Sequence, residues 1–131
     1  MSPVTFLVED NLALRNSLIG SLETMAQAHI VGVADAESDA VAWLTQAGNP
    51  WDLAVVDVDL REGSGFGILQ SVQARSPAQQ VVVLSNHAEH DIRRVCLALG
   101  ADQVFDKVTE LERFFDFCRN EVPASTERHA T

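Results

Sequence analysis

The chain predicts an α/β fold, a doubly wound five-stranded parallel sheet with helices on both faces, and three observations carry that prediction. Apolar runs and helix-period segments alternate without interruption along the 131 residues. The runs are nearly continuous in Val, Leu and Ile, as strands buried on both faces are. Four of them stop at charged or hydroxyl residues: Phe6-Leu7-Val8 before Glu9-Asp10, Leu53-Ala54-Val55-Val56 before Asp57, Val81-Val82-Val83-Leu84 before Ser85, and Val104-Phe105 before Asp106-Lys107. Open α/β sheets bind ligands outside the carboxyl ends of their strands, so function is expected at these tips.

Each element has its own signal. After a strand over about 4–8, Leu14, Leu18, Leu22 and Met25 form one helical stripe, and Ile30-Val31-Gly32-Val33-Ala34 reads as the second strand. Asp35 precedes a helix bearing Val41, Leu44 and Ala47, ended by Gly48-Asn49-Pro50. A third strand over about 52–57 leads through Arg61-Glu62-Gly63-Ser64-Gly65 into a helix with Phe66, Leu69 and Val72, stopped near Ser76-Pro77. The fourth strand, about 80–85, is followed by Ile92, Val95, Cys96 and Leu99 at helical spacing, with Gly100 at the helix end. A short fifth strand ends near Asp106. Thr109 and Glu112 have the spacing of a capping box before a last helix carrying Leu111, Phe114, Phe115, Cys118 and Val122, closed by Pro123. The expected domain is 1–122, with a frayed tail over 123–131.

Nine Lys and Arg against nineteen Asp and Glu give a formal charge of −10, which repels a phosphate backbone and argues against direct nucleic-acid binding. Only Cys96 and Cys118 are present, both on apolar helix faces, which fits buried reduced thiols. No apolar stretch approaches membrane-spanning length and no leader pattern is visible, so a cytoplasmic protein is expected. Gly63-Ser64-Gly65-Phe66-Gly67 lacks the lysine of a phosphate loop and reads as turn residues. His87 and His90 lack a third metal ligand and read as surface. Phe117, off the main stripe of its helix, is either ordinary scatter or part of a partner surface.

With the strand order 2-1-3-4-5, strands one and three are neighbours at the switch point, and Glu9, Asp10 and Asp57 share one crevice. Three carboxylates that close raise one another's pKa, and a divalent cation relieves the repulsion. Hard oxygen ligands favour Mg²⁺, with Mn²⁺ as substitute: Asp10 and Asp57 directly, Glu9 through water, and a backbone carbonyl near Asp59. An Asp attacks phosphorus when fixed cations take up the phosphoryl charge, and Lys107 and the Ser85 hydroxyl stand at neighbouring tips to meet its oxygens.

Glu9-Asp10, Asp57 with Val58-Asp59-Leu60-Arg61-Glu62-Gly63-Ser64-Gly65, Ser85 and Phe105-Asp106-Lys107 together resemble the receiver domain of bacterial two-component response regulators, over roughly residues 4 to 121. The resemblance implies a flavodoxin-like, CheY-like (βα)5 fold in a single-domain response regulator. It makes Asp57 the phosphorylation site, Glu9 and Asp10 the acidic metal pair, Ser85 the switch hydroxyl, Lys107 the paired cation and Phe105 the switch aromatic. Asp59, Asn86 and His87 would tune the lifetime of the phosphate. Val108 and Arg61 stand where the family commonly has proline, and Asn86 where it has a small residue. A cis Lys107-Val108 bond would cost about 2.5–4 kcal/mol, so this loop is either trans or strained.

The implied function is a phosphorylation-controlled switch, not a dedicated enzyme. It takes its phosphoryl group from a histidine kinase or histidine phosphotransfer protein. When Ser85 is drawn inward, Phe105 moves into the vacated space and reshapes the face of helix four, strand five and helix five for a downstream protein. Homodimer formation on activation stays open. Two alternatives compete: a haloacid-dehalogenase-type phosphatase, with Asp57 as nucleophile and Asp59 as acid/base, and a receiver-like scaffold that is never phosphorylated. The first needs a further acidic metal motif after the lysine, where only Glu110, Glu112 and Asp116 remain.

Overall fold

The computed structural model describes residues 2–86 and 89–123; Met1, His87, Ala88 and 124–131 lie outside the described residues, and with them the expected role of His87 and nearly all of the expected tail. Strands and helices alternate as β1 (Val4–Val8), α1 (Leu12–Met25), β2 (His29–Ala34), α2 (Glu37–Leu44), β3 (Leu53–Asp57), α3 (Gly65–Ser71), β4 (Gln80–Ser85), α4 (His90–Ala98), β5 (Gln103–Asp106) and α5 (Leu111–Asn120). The sheet order is β2-β1-β3-β4-β5, and every neighbouring pair is parallel.

Strand alternation divides the core between two layers. Phe6, Val8, Ala54, Val56, Val81, Val83 and Val104 face one side, where α2, α3 and α4 supply Ala40, Leu44, Ile68, Leu69 and Cys96. Leu7, Leu53, Val55, Val82, Leu84 and Phe105 face the other, where α1 and α5 supply Leu18, Leu22, Phe114, Phe115 and Cys118. Both cysteines are free and buried, and burial pushes their thiols up, to about 11 for Cys96 and about 12 for Cys118.

The helices depart from the sequence reading at their faces and ends. Met25 is 43% exposed, and Ala26, just past the end of α1, fills that layer instead. Helix α2 stops at Leu44, so Ala47 falls in an exposed turn. Helix α3 stops at Ser71 with Val72 as its cap, short of Ser76-Pro77. On α4 only Cys96 is buried; Ile92 and Leu99 are half-buried and Val95 is 40% exposed. The Thr109–Glu112 capping box does not form. Asp106 Oδ1 accepts from the N–H groups of both Val108 and Thr109, which winds residues 107–109 into a turn, and α5 begins one residue later with Glu110 at the cap position. No cis peptide occurs among the described residues, so the Lys107-Val108 bond is trans.

Candidate functional site

The parallel register brings the ends of β1, β3, β4 and β5 to one edge of the sheet, and the side chains just past them converge. Glu9, Asp57, Ser85 and Lys107 are all buried, although each is polar. Burying such groups is costly unless they are paired, and here one lysine does the pairing. The Lys107 ammonium lies 2.9 Å from Glu9 Oε1 and 2.9 Å from Asp57 Oδ2.

Each of the three carboxylates also accepts from a backbone N–H group. Asp57 Oδ1 accepts from Asp59 N at 2.9 Å, Glu9 Oε2 from Asn11 N at 3.1 Å, and Asp10 Oδ2 from Arg61 N at 2.7 Å. The last bond folds the β3–α3 loop over the tip of β1. Asn11 also caps α1, its side chain accepting from Leu14 N at 2.9 Å, so the acidic pair is fixed by a helix start immediately after it. Gly65 packs directly on the backbone at the end of β3. A Cβ there would fall 2.6 Å from the Asp57 carbonyl oxygen, so any side chain would displace the β3 tip.

Burial pushes the Asp57 carboxyl up from 3.8 to about 6. Lys107 and the Asp59 N–H pull it down, and the Glu9 charge pushes it up further. For Lys107, burial works against the charged form, but its bonds to Glu9 and Asp57 outweigh it and hold the ammonium above the usual 10.5. Ligand oxygens of Glu9, Asp10 and Asp57 lie within 4.8 Å of one another. Three carboxylates against one ammonium leave two formal negative charges in a site made only of hard oxygen donors. That donor set fits a divalent cation of the Mg²⁺ or Mn²⁺ type.

On the other side of Asp57, the Asp59 carboxylate turns toward β4 and takes long bonds from Ser85 Oγ at 3.5 Å and Asn86 N at 3.4 Å. Phe105 is not where the expected exchange with Ser85 requires it. Ser85 pairs with Asp106 and Leu84 with Phe105, so the Phe105 ring lies on the opposite face of the sheet from the Ser85 side chain. It packs against Phe114 and Phe117 of α5, with ring centroids 5.9 and 6.2 Å away. The β5 residue on the Ser85 face is Val104.

Sequence reasoning missed a clasp on the outer edge of β5. Arg93 of α4 donates to the Val104 carbonyl at 2.7 Å and pairs with Glu110, which also accepts from Asp106 N at 3.0 Å. Concavity alone would have misplaced the site. A cleft of about 390 Å³ opens between the ends of α2 and α3 around Trp51 and Arg75, but there Arg75 is already tied to Gly100 O and Asp102. The cleft beside Asp10, about 260 Å³ and lined by Asp10, Asp35, Arg61 and Glu62, is smaller and acidic.

Residues 5–118 match the response regulator receiver domain family. The chain belongs to that family. Residues 5–118 thus form a receiver domain of a two-component system, a signalling module rather than a dedicated enzyme, with an acidic Glu/Asp/Asp cluster at its strand tips. Among curated relatives it is similar to the DNA-binding transcriptional activator DevR/DosR of Mycobacterium tuberculosis, 28% identical over 96 residues, which is 73% of this chain and 43% of that protein. The chain thus spans less than half of that relative's length. Among solved structures it resembles the phosphorylated cyanobacterial phytochrome response regulator RcpA, with TM-score 0.74, 24% identity, and 91% and 90% of the two chains covered. It also resembles the CheX-CheY-BeF3-Mg complex from Borrelia burgdorferi, with TM-score 0.75, 17% identity, and 86% and 84% covered. These likenesses speak for the fold. The phosphatase alternative loses its support in the receiver domain, because Glu110 is committed to Arg93 and Asp106 and stands outside the acidic cluster. No helix among the described residues is long and apolar enough to cross a membrane.

Proposed function

We propose that the receiver domain is a phosphorylation switch that accepts a phosphoryl group on Asp57 from a phosphohistidine of a histidine kinase or phosphotransfer protein. The observation that carries this reading is the Lys107 ammonium bridging Glu9 and Asp57 beside Asp10. Asp57 and Asp10 would hold Mg²⁺ directly, Glu9 through water, with the backbone carbonyl at Asp59 as a further ligand. The cation, when bound, would offset the charge that gathers on the carboxylates and the phosphoryl oxygens. An Asp57 oxygen attacks phosphorus, the bond from phosphorus to the donor's histidine nitrogen breaks, and the donor leaves as neutral imidazole after taking up a proton. Lys107 follows the charge onto the phosphoryl group, and burial keeps water from competing with the carboxylate. Later attack by water on phosphorus restores the carboxylate and releases orthophosphate; Asp59 and Asn86, next to Ser85, set how fast this happens.

Phosphoryl arrival draws the Ser85 hydroxyl off Asp59 and onto a phosphoryl oxygen. Ser85 ends β4, and its carbonyl accepts from Lys107 N just past β5, so its movement reaches that strand. Helix α4 holds the β5 edge and the start of α5 through Arg93, so the altered surface is the α4–β5–α5 face, where Leu97, one turn on from Arg93, is exposed for a downstream protein. This is a population shift between two packings. The transmitting route runs through the Arg93 clasp, and Phe105 acts as an anchor for α5.

The test is incubation with acetyl phosphate and Mg²⁺ followed by intact mass measurement. One phosphoryl group, labile to hydroxylamine and absent in Asp57→Asn, is expected. Labelling that persists in Asp57→Asn, or none in the unaltered protein, contradicts the reading.

A further inference from the structure

The geometry points to Glu37 as a positioning residue for the metal site: without touching the acidic cluster, it holds the loop that closes over Asp10. The inference rests on the reading of Glu9, Asp10 and Asp57 as a divalent-cation site. Strands β2 and β3 lie on either side of β1, so a link between residues just past their ends spans the tip of β1, where Glu9 and Asp10 stand. Such a link exists. Ala36 and Glu62 form a parallel bridge, and Glu37 N donates to Glu62 O at 3.1 Å.

The Glu37 side chain completes it. Its Oε1 accepts from Ser64 N at 2.8 Å, at the residue that caps α3. Two glycines make room for this carboxylate. A Cβ on Gly63, whose φ is +83°, would fall 2.3 Å from Glu37 Cβ, and one on Gly67 would fall 2.2 Å from Glu37 Oε2. The 61–64 loop therefore has two side-chain anchors, Asp10 on Arg61 N and Glu37 on Ser64 N. A cation drawn to Asp10 shares that carboxylate with Arg61 N, so the first anchor is the one that changes when the metal binds. Glu37 is the anchor that stays, and it keeps the residues following Asp57 in register with Asp10. Groups hydrogen-bonded directly to metal ligands typically change affinity by about 10–100-fold when lost, and Glu37 acts one step further out, so the lower end of that range applies.

The experiment is Mg²⁺ titration of the full chain by NMR, following the Arg61 and Ser64 amides, in the unaltered protein and in Glu37→Ala, Glu37→Gln and Gly67→Ala. Glu37→Ala is expected to weaken Mg²⁺ binding about tenfold and to reduce the Mg²⁺-dependent shift of the Arg61 amide. Glu37→Gln, which loses the charge but keeps an acceptor for Ser64 N, is expected to restore most of the affinity. Gly67→Ala keeps Glu37 but forces its carboxylate aside; alanine suits a helix better than glycine, so weaker Mg²⁺ binding there cannot be put down to a weakened α3. If Glu37→Ala and Gly67→Ala bind Mg²⁺ as the unaltered chain does, Glu37 is merely structural and the inference fails. If Glu37→Gln loses as much as Glu37→Ala, the effect is one of charge and the positioning role fails. An unaltered protein that binds no Mg²⁺ defeats the site reading itself, an outcome distinct from both.

Discussion

A buried lysine shared by two carboxylates makes Lys107 a residue whose loss is costly. Removing it leaves Glu9 and Asp57 buried without their counter-charge, and breaking such a pair on one side typically costs about 3–5 kcal/mol. Lys107→Ala is therefore expected to lower stability by that order in urea denaturation at pH 7. At pH 5, below the Asp57 value of about 6, one of the stranded carboxylates is protonated and the loss shrinks. The same shift sets a pH dependence in the unaltered chain. The folded state holds the Asp57 proton more tightly than the unfolded chain, so this group's contribution to stability falls as pH rises from 3.8 to about 6. If Asp57 attacks phosphorus as proposed it must be ionised, so phosphorylation by acetyl phosphate at limiting Mg²⁺ is expected to slow as pH drops through about 6. At this scale the sequence was informative where function needs a residue type at a strand end. Glu9-Asp10, Asp57, Ser85 and Asp106-Lys107 each end an apolar run, and the fold gathers Glu9, Asp10, Asp57, Ser85 and Lys107. Phe105 was visible as an aromatic but its face was not, because that depends on counting the β4–β5 register from Ser85. Glu37 resembled any acid at a helix start. What distinguishes it are two glycines about thirty positions away in the chain, which no local pattern links to it.

The elements best read from sequence were the strands, because a run buried on both faces has one composition wherever it lies. The helices were harder, since which stripe is covered depends on where a helix stops and what crosses it. Met25, Ala47 and Val95 fit a helical period and still face solvent. The capping box failed because Asp106 and Glu110 supply the turn's hydrogen bonds instead. The Arg93–Glu110 clasp binds α4, β5 and α5 together, and its loss should act on all three. Arg93→Ala removes the donor to the Val104 carbonyl and the partner of Glu110, with an expected cost of about 1–3 kcal/mol. Phosphorylation of Asp57 should persist in that variant, while the spectral changes it causes in α5 should shrink. Glu110 is held below its usual 4.5 by Arg93 and by the Asp106 N–H. Its contribution is present above 4.5 and lost as pH falls through the lowered folded value. Glu110→Gln should therefore flatten the acid side of the stability curve in pH-dependent thermal melts.

Across the whole molecule, the fold places two uncompensated negative charges at one end of a chain whose formal charge is already −10. A cation that binds only the folded state stabilises it by mass action, about 1.4 kcal/mol at ten times its dissociation constant. The melting midpoint should rise by a few degrees with Mg²⁺, and less so in Asp10→Asn. The central claim is that these strand tips gather around one cation so that Asp57 carries phosphorus. A crystal structure of the protein with Mg²⁺ and beryllium fluoride tests it most directly. The account predicts the fluoride complex bonded to Asp57, the cation against Asp10 and Asp57, Lys107 turned onto a fluorine, and Ser85 drawn off Asp59. A fluoride complex bound elsewhere, or a cation held apart from Asp10 and Asp57, would contradict it.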